Sequence, residues 1–245
     1  MITGIMQPYF APYLGYYSLM YHSDKWIFFD TAQYLRKSWM NRNRILVEHD
    51  KWAYIRVPIH KQSQKTSIRE IKVNNDVNWI DEFANKLHFY RKYSEYYSEI
   101  YEFLMETLKS STKNEYLAEL NIEISIDILD YLGISLDFEV FSKMKCFHDI
   151  ESKVTGPGDW ALEITKFLGG NSYVNPPGGK GIFEVKNFIN NGIDLNILEN
   201  NLSSYYQSNR NFIPGLSIID SLFFNGKKGT FDLIKDYSLK NLTSI

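Results

Sequence analysis

Met1–Asp30 reads MITGIMQPYFAPYLGYYSLMYHSDKWIFFD, and this stretch decides the fold. Ile2–Met6 is a short apolar run that predicts a strand. Tyr13–Tyr21 predicts a helix entered through a Pro-rich turn, and Lys25–Phe29 predicts a second buried strand that ends at Asp30. Short apolar strands that alternate with helices favour a parallel sheet with flanking helices. Such a sheet takes its ligand outside the carboxyl ends of its strands. Attention therefore falls on the two segments that leave those ends, Gln7–Tyr16 and the residues after Asp30.

Working outward, Ile45–Ile59 predicts a hairpin that turns at Glu48-His49-Asp50-Lys51, and Ile68–Val73 a further strand. From Trp79 to Leu132 there is no Gly or Pro, and apolar residues recur at helical spacing, among them Trp79, Phe83, Leu87, Leu117, Leu120, Ile124 and Ile128. That predicts two or three long helices closed by Gly133. A strand-like Leu136–Phe141 follows, then a helix capped by Asp159 and ended by Gly169-Gly170. Beyond it come a helix near Phe183–Ile189, a strand near Asp194–Leu198, and helices near Leu216–Phe224 and Thr230–Ile234. The expectation is one α/β domain over 1–245, with a mostly parallel sheet, flanking helices and an added helical subdomain at about 79–132.

Composition narrows the class. Hydrophobic residues at 44% and charged residues at 23% are ordinary for a globular domain and exclude a disordered tail or a disulfide-stapled mini-protein. The net charge of −2 gives no general pull toward nucleic acid or an anionic membrane, so any cationic site is local. Cys146 is the only cysteine, which excludes an internal disulfide and fits a reducing cytosol. No apolar run approaches the roughly 18 to 20 residues of a membrane helix, and the start lacks the pattern of a leader peptide. The expected location is cytoplasmic, with no nucleic-acid partner and no membrane span.

The opening turn Gln7-Pro8-Tyr9-Phe10-Ala11-Pro12-Tyr13-Leu14-Gly15-Tyr16 leaves a strand and enters a helix. Free backbone N–H groups at a helix start suit a phosphate, and a rigid hydrophobic turn is the alternative. Tyr13-Leu14-Gly15-Tyr16 has the shape of the His-x-Gly-His turn of adenylyl-transferring enzymes, with tyrosines for histidines and no companion Lys-Met-Ser-Lys-Ser type loop. Gln7, Tyr13 and Tyr16 are candidate catalytic hydrogen-bond donors. Asp30, at a strand end, is a fourth catalytic candidate, as a metal- or amine-binding carboxylate or else a cap.

A local charge anomaly follows. Arg36, Lys37, Arg42 and Arg44 fall within nine residues of a chain that has twenty lysines and seven arginines. They interleave with Trp39, Asn41 and Asn43, and Gln33 and Tyr34 precede them. Guanidinium forks bind phosphate or carboxylate, and amides add neutral donors, so this block suits an anionic ligand; a solvated basic loop packed on Trp39 is the alternative. Pro177-Gly178-Gly179-Lys180-Gly181 could cradle phosphate, with Lys180 as a point charge, or serve as a turn; the Walker spacing is absent. Ser217 and Asp220, one helical turn apart, fit a capping box variant as well as a site. The five histidines, at 22, 49, 60, 88 and 148, show no ligand spacing and no G-x-S-x-G elbow exists, so zinc and serine-hydrolase readings have no support.

Four motifs together carry a resemblance over nearly the whole chain. QPYFAPYLGYYSLM from Gln7, D-x-x-Q-Y-x-x-x-x-W-x-N-R-N-R-I from Asp30 to Ile45, NSYVNPPGGKGIFE from Asn171 to Glu184 and FIPGLSIIDSLF from Phe212 to Phe223 resemble the WbqC-like protein family. Thr31 stands where that family tends to carry a second aspartate after Asp30, so the resemblance does not bring a double-carboxylate metal site with it. The resemblance implies work on a nucleotide-linked amino sugar in O-antigen or related surface-polysaccharide synthesis, with glycine or another acyl group transferred to the sugar amine. A free amino acid needs carboxylate activation, so ATP is the first cofactor candidate and a CoA thioester the competitor. The partners implied are that nucleotide-linked amino sugar and a small-molecule acyl or amino-acid donor. A non-catalytic nucleotide-sugar binding or scaffolding protein is the alternative from another class, kept open by the lack of an obvious nucleophile or His-carboxylate pair.

Overall fold

The computed structural model describes residues 1–245 except 49, 64, 201–203, 209–210 and 245. The opening elements are β1 (Ile2–Met6), α1 (Leu14–Tyr21) and β2 (Lys25–Phe28), and β1 and β2 pair in parallel. The chain then leaves the sheet for an antiparallel hairpin, β3 (Arg42–Glu48) and β4 (Lys51–Arg56). Four helices follow: α2 (Trp79–Lys86), α3 (His88–Tyr93), α4 (Tyr97–Ser111) and α5 (Leu117–Leu132). The chain returns as β5 (Phe138–Val140) beside β2.

From there α6 (Phe147–Glu151) and α7 (Asp159–Phe167) lead to β6 (Ser172–Asn175), which pairs with the free side of β1. Next come α8 (Val185–Asn190), β7 (Asp194–Asn200), α9 (Ile218–Lys235) and β8 (Tyr237–Asn241). The sheet order is β5-β2-β1-β6-β7-β8, parallel throughout except for β8 at the edge. The chain steps outward from β1 to β5, then crosses back to β6 and steps outward the other way. The order therefore reverses between β1 and β6.

Successive side chains of the central strands enter opposite cores, as a sheet covered on both faces requires. Trp26, Phe28 and Val174 join a core with α1, α9 and the helices of the middle of the chain. Ile5, Ile27 and Tyr173 join a second core under α6, α7 and α8. Among the described residues, no helix is long and apolar enough to cross a membrane.

Several elements differ from expectation. β6 and β8 carry no clear sequence signal, yet β6 is one of the two strands at the switch. Ile68–Val73 is not a strand: Ser67 and Glu70 form a capping box that closes a 3-10 turn over Ile68–Glu70, while Lys72 and Val73 make only single bridges. Asp159 does not cap α7; its carboxylate accepts from Thr155 and Gly156 and closes the turn before the helix. The two closing helices run on as α9, broken at Gly226, whose φ of 60° a side chain would resist. Of the hairpin turn, His49 lies outside the described residues.

Candidate functional site

Where the strand order reverses, a cleft of about 990 Å³ opens beyond the carboxyl ends of β1 and β6. Open α/β sheets bind ligands at this point because the loops from the two strands diverge there. Met6 and Gln7 reach it from β1, and Asn175 and Pro176 from β6. Its walls are largely aromatic: Tyr9 and Tyr13 from the opening loop, Phe29 and Trp39 after β2, Trp160 on α7, and Phe183. No Asp, Glu, Lys, Arg or His is among the described residues that line it.

The opening loop is held by its own carbonyls. Ala11 has φ 39°, a conformation that costs a non-glycine residue free energy unless its surroundings enforce it. Asn43, 3% exposed on β3, donates its amide to the carbonyls of Phe10 (3.1 Å) and Ala11 (2.9 Å). The Ser217 hydroxyl donates to Ala11 as well (2.6 Å), and buried Asn121 of α5 donates to the carbonyls of Pro8 and Met40. Phe10 N–H donates to the Trp39 carbonyl at 3.0 Å, which fixes the opening loop against the start of the arginine block.

The Tyr-Leu-Gly-Tyr turn divides its tyrosines. Tyr13 lines the cleft, and its ring folds back over the first turn of α1, so that a Cβ on Gly15 would stand 2.4 Å from a ring carbon. That ring covers the helix start expected to receive a phosphate. Tyr16 is 1% exposed and donates its hydroxyl to the Gln7 carbonyl at 2.9 Å. It is a buried prop under the loop and not a wall of the cleft, contrary to the expected pairing with Tyr13.

The arginine block is mostly engaged. The Arg42 guanidinium stacks 4.0 Å from the Tyr54 ring centroid and donates to the Lys37 carbonyl, where Lys37 itself has φ 63°. Arg44 lies over Trp39 (5.4 Å) and Trp52 (5.1 Å) and donates to the carbonyls of Pro214 and Gly215. Hairpin register explains this capture: Arg44 faces Tyr54 and Leu46 faces Trp52, so each arginine meets the aromatic ring diagonal to it. Asn41 donates to the Val57 carbonyl and accepts from the Tyr34 hydroxyl, which leaves Tyr34 buried.

Of the candidate residues, the cleft lining gathers Gln7, Tyr13, Gln33, Trp39, Gly178 and Gly179. It does not include Tyr16, Asp30, Tyr34, Asn41, Arg42, Asn43, Arg44 or Lys180. Asp30 accepts from the backbone N–H and hydroxyl of Ser142, and Lys180 is exposed on the 3-10 turn Pro177–Ile182. Asn175 and Trp160 were not among the candidates. Asn175 takes the Tyr173 hydroxyl at 2.8 Å and donates to the Pro176 carbonyl; its amide fills the space that a Cβ on Gly179 would need. The signal for it was the Pro-Pro-Gly-Gly run directly after it, which marks the loop leaving a strand.

The chemistry of the cleft is that of neutral hydrogen bonding. Burial, with a smaller contribution from Tyr13, pushes the Tyr9 phenol up to about 12, and burial raises Tyr13 too. Both therefore stay protonated near neutrality and act as donors, not bases. The phosphates of a nucleotide or of CoA would meet no Lys or Arg side chain in this lining and would have to lie outside it. No group of three or more metal-ligating side chains occurs among the described residues.

Apart from the cleft, α9 begins over a buried polar cluster. Ser217 caps it, and Asp220, fully buried, accepts from Tyr90 (2.7 Å), Tyr205 (2.8 Å) and Gln207 (2.8 Å). Burial raises the Asp220 carboxyl to about 6 against these three hydrogen bonds, which pull it down.

Comparison with known proteins agrees with the motifs. A stretch of 88 residues is 30% identical to an uncharacterized protein of Mycobacterium tuberculosis, covering 36% of this chain and 37% of that protein. The chain thus matches little more than a third of that relative's length. No solved structure matches the chain. The model of the WbqC-like protein family matches residues 7–231, which takes in the opening loop, the hairpin, both sides of the cleft and most of α9, and the chain belongs to that family.

Proposed function

We propose that the cleft binds a nucleotide-linked amino sugar and that the protein transfers an acyl group, such as an aminoacyl group, to the sugar amine during surface-polysaccharide synthesis. The observation that carries this reading is the cleft itself: about 990 Å³ at the switch point, walled by aromatic rings and neutral hydrogen-bonding side chains. Aromatic faces suit the C–H faces of a sugar and the plane of a base, and Gln7, Gln33, Tyr13 and Asn175 suit hydroxyl and carbonyl groups. The diphosphate is assigned to Arg36, Lys37 and Lys180, which are exposed and close in sequence to the lining residues Leu35 and Gly179. Tyr16, Asn43, Arg42 and Arg44 are assigned to holding the loops that build the walls, Tyr34 and Asn41 to bracing the hairpin, and Asp30 is left outside this site.

An amine attacking an already activated acyl carbon needs no protein nucleophile. The new C–N bond forms, the bond from the acyl carbon to its leaving group breaks, and one proton passes from the nitrogen to the departing group. Tyr13 and Gln7, both in the cleft lining, are assigned to hydrogen-bond the oxygen that gains charge in that step. A second reading, a non-catalytic sugar-nucleotide binding protein, is favoured by one observation: the described lining carries no side chain able to take that proton at neutral pH. Mass spectrometry of UDP-glucosamine incubated with the protein and an activated acyl donor tests the two. An N-acylated sugar formed by wild type and lost in Tyr13→Phe supports transfer. Binding without product supports the second reading, and absence of binding contradicts both.

A further inference from the structure

Asp30 lines a second groove, of about 400 Å³, together with Arg69, Glu119, Ser142 and Lys143. The segment 29–33 divides this groove from the cleft: Phe29, Ala32 and Gln33 line the cleft while Asp30 lines the groove. Asp30 is 3% exposed. Its two oxygens accept from one residue, Ser142, through the backbone N–H (2.9 Å) and the hydroxyl. Both donors are neutral, and no Lys, Arg or His pairs with Asp30 among the described residues. A carboxylate this deep with no cation is expensive to keep.

The other charges of the groove are accounted for, with one exception. Glu70 accepts from the backbone N–H and hydroxyl of Ser67, and Glu119 pairs with Lys143 at 3.5 Å. Arg69 makes no ion pair among the described residues, although its charge acts on the neighbouring Glu70; its guanidinium lies 5.5 Å from the Phe147 ring centroid. Its backbone N–H donates to the Asp30 carbonyl at 3.1 Å, so both side chains spring from neighbouring points of one wall. Among the described residues, one carboxylate without a cation and one guanidinium without an ion pair thus line a small groove without bonding each other. A guanidinium fork takes a carboxylate in two parallel hydrogen bonds, and an ammonium offers three donors to the lone pairs Ser142 leaves on Asp30. Tyr116, Ala118, Ile122 and Val140 complete the wall, which suits a short or apolar side chain.

We propose that this groove binds a small free α-amino acid, its ammonium on Asp30 and its carboxylate on Arg69. The binding site stands on its own residues and does not depend on the function proposed above.

Calorimetric titration of glycine, alanine, glutamate and lysine into the full chain tests it, with N-acetylglycine and glycinamide as ligands that each lack one charge. Glycine or alanine is expected to bind, the two analogues at least tenfold more weakly than glycine, and Arg69→Gln to weaken glycine at least tenfold with an unchanged melting temperature. Asp30→Asn, which keeps an acceptor for Ser142, is expected to weaken it similarly. The proposal is overturned if no amino acid binds, if either analogue binds as tightly as glycine, or if Arg69→Gln binds like wild type. UDP-glucosamine titrated in parallel separates the two readings: amino-acid binding that persists where the sugar nucleotide fails to bind sustains the groove and contradicts only the function proposed for the cleft.

Discussion

The amide of Asn43 and the carbonyl of Ala11, 32 residues apart, are joined by a hydrogen bond of 2.9 Å that holds Ala11 at φ 39°. One side chain of the hairpin thereby sets the path of the loop that walls the cleft. Asn43→Ala leaves the Phe10 carbonyl without its donor inside the core. The expected cost is about 1–3 kcal/mol, read as a melting temperature lowered by roughly 2–4 °C per kcal/mol. An unchanged melting curve would show that the loop holds itself.

Gly15→Ala should separate helix propensity from cleft geometry. Alanine is favoured over glycine in a helix by about 1 kcal/mol, yet a Cβ here stands 2.4 Å from the Tyr13 ring. A side-chain ring can swing away at little cost, so stability is expected to stay within about 1 kcal/mol of wild type. The ring swings out of the cleft wall, so sugar-nucleotide affinity is expected to fall several-fold. Calorimetry and a thermal melt on the same sample check both.

Arg44→Ala is expected to act on stability and not on the ligand. It removes contacts with two indole rings and the bonds to Pro214 and Gly215, a loss of about 1–2 kcal/mol. Equilibrium denaturation should show that loss while the dissociation constant for UDP-glucosamine stays within twofold. A tenfold weaker ligand with full stability would return Arg44 to phosphate binding.

Asp220 gives the pH dependence of folding a definite sign. Its folded value of about 6 lies above the ordinary 3.8, so between these values the folded protein holds a proton that the unfolded chain releases. The stabilisation is complete below about pH 4 and is lost as pH rises through about 6, on the order of 3 kcal/mol in all. Asp220→Asn should flatten the fall in unfolding free energy over that window, measured by urea titration at several pH values.

The parallel opening of the sheet and the helical middle were readable because Ile2–Met6 and Lys25–Phe28 are short, mostly apolar runs and Trp79 to Leu132 keeps a helical spacing. β6 was not, since Ser-Tyr-Val-Asn is four residues long with a polar residue at each end, which leaves no apolar run to read. The same gap hid Asn175. Arg42 and Arg44 read as free cations because a sequence does not display the diagonal neighbours, Tyr54 and Trp52, that the hairpin register supplies. Tyr16 read as a partner of Tyr13 because three residues along a helix bring two side chains near one another, and the hydrogen bond that turns Tyr16 inward comes from a loop carbonyl nine residues earlier.

Calorimetric titration of UDP-glucosamine into wild type and Trp160→Leu tests the central claim, that the cleft at the switch point is the ligand site, most directly. Trp160 lines the cleft beside Phe29, at 5.2 Å between ring centroids, and leucine keeps an apolar group there without the aromatic face. Binding to wild type, weakened at least tenfold in a Trp160→Leu protein that still melts cooperatively above the assay temperature, is the result expected. Equal affinity in the two proteins, or no binding to either, would contradict it.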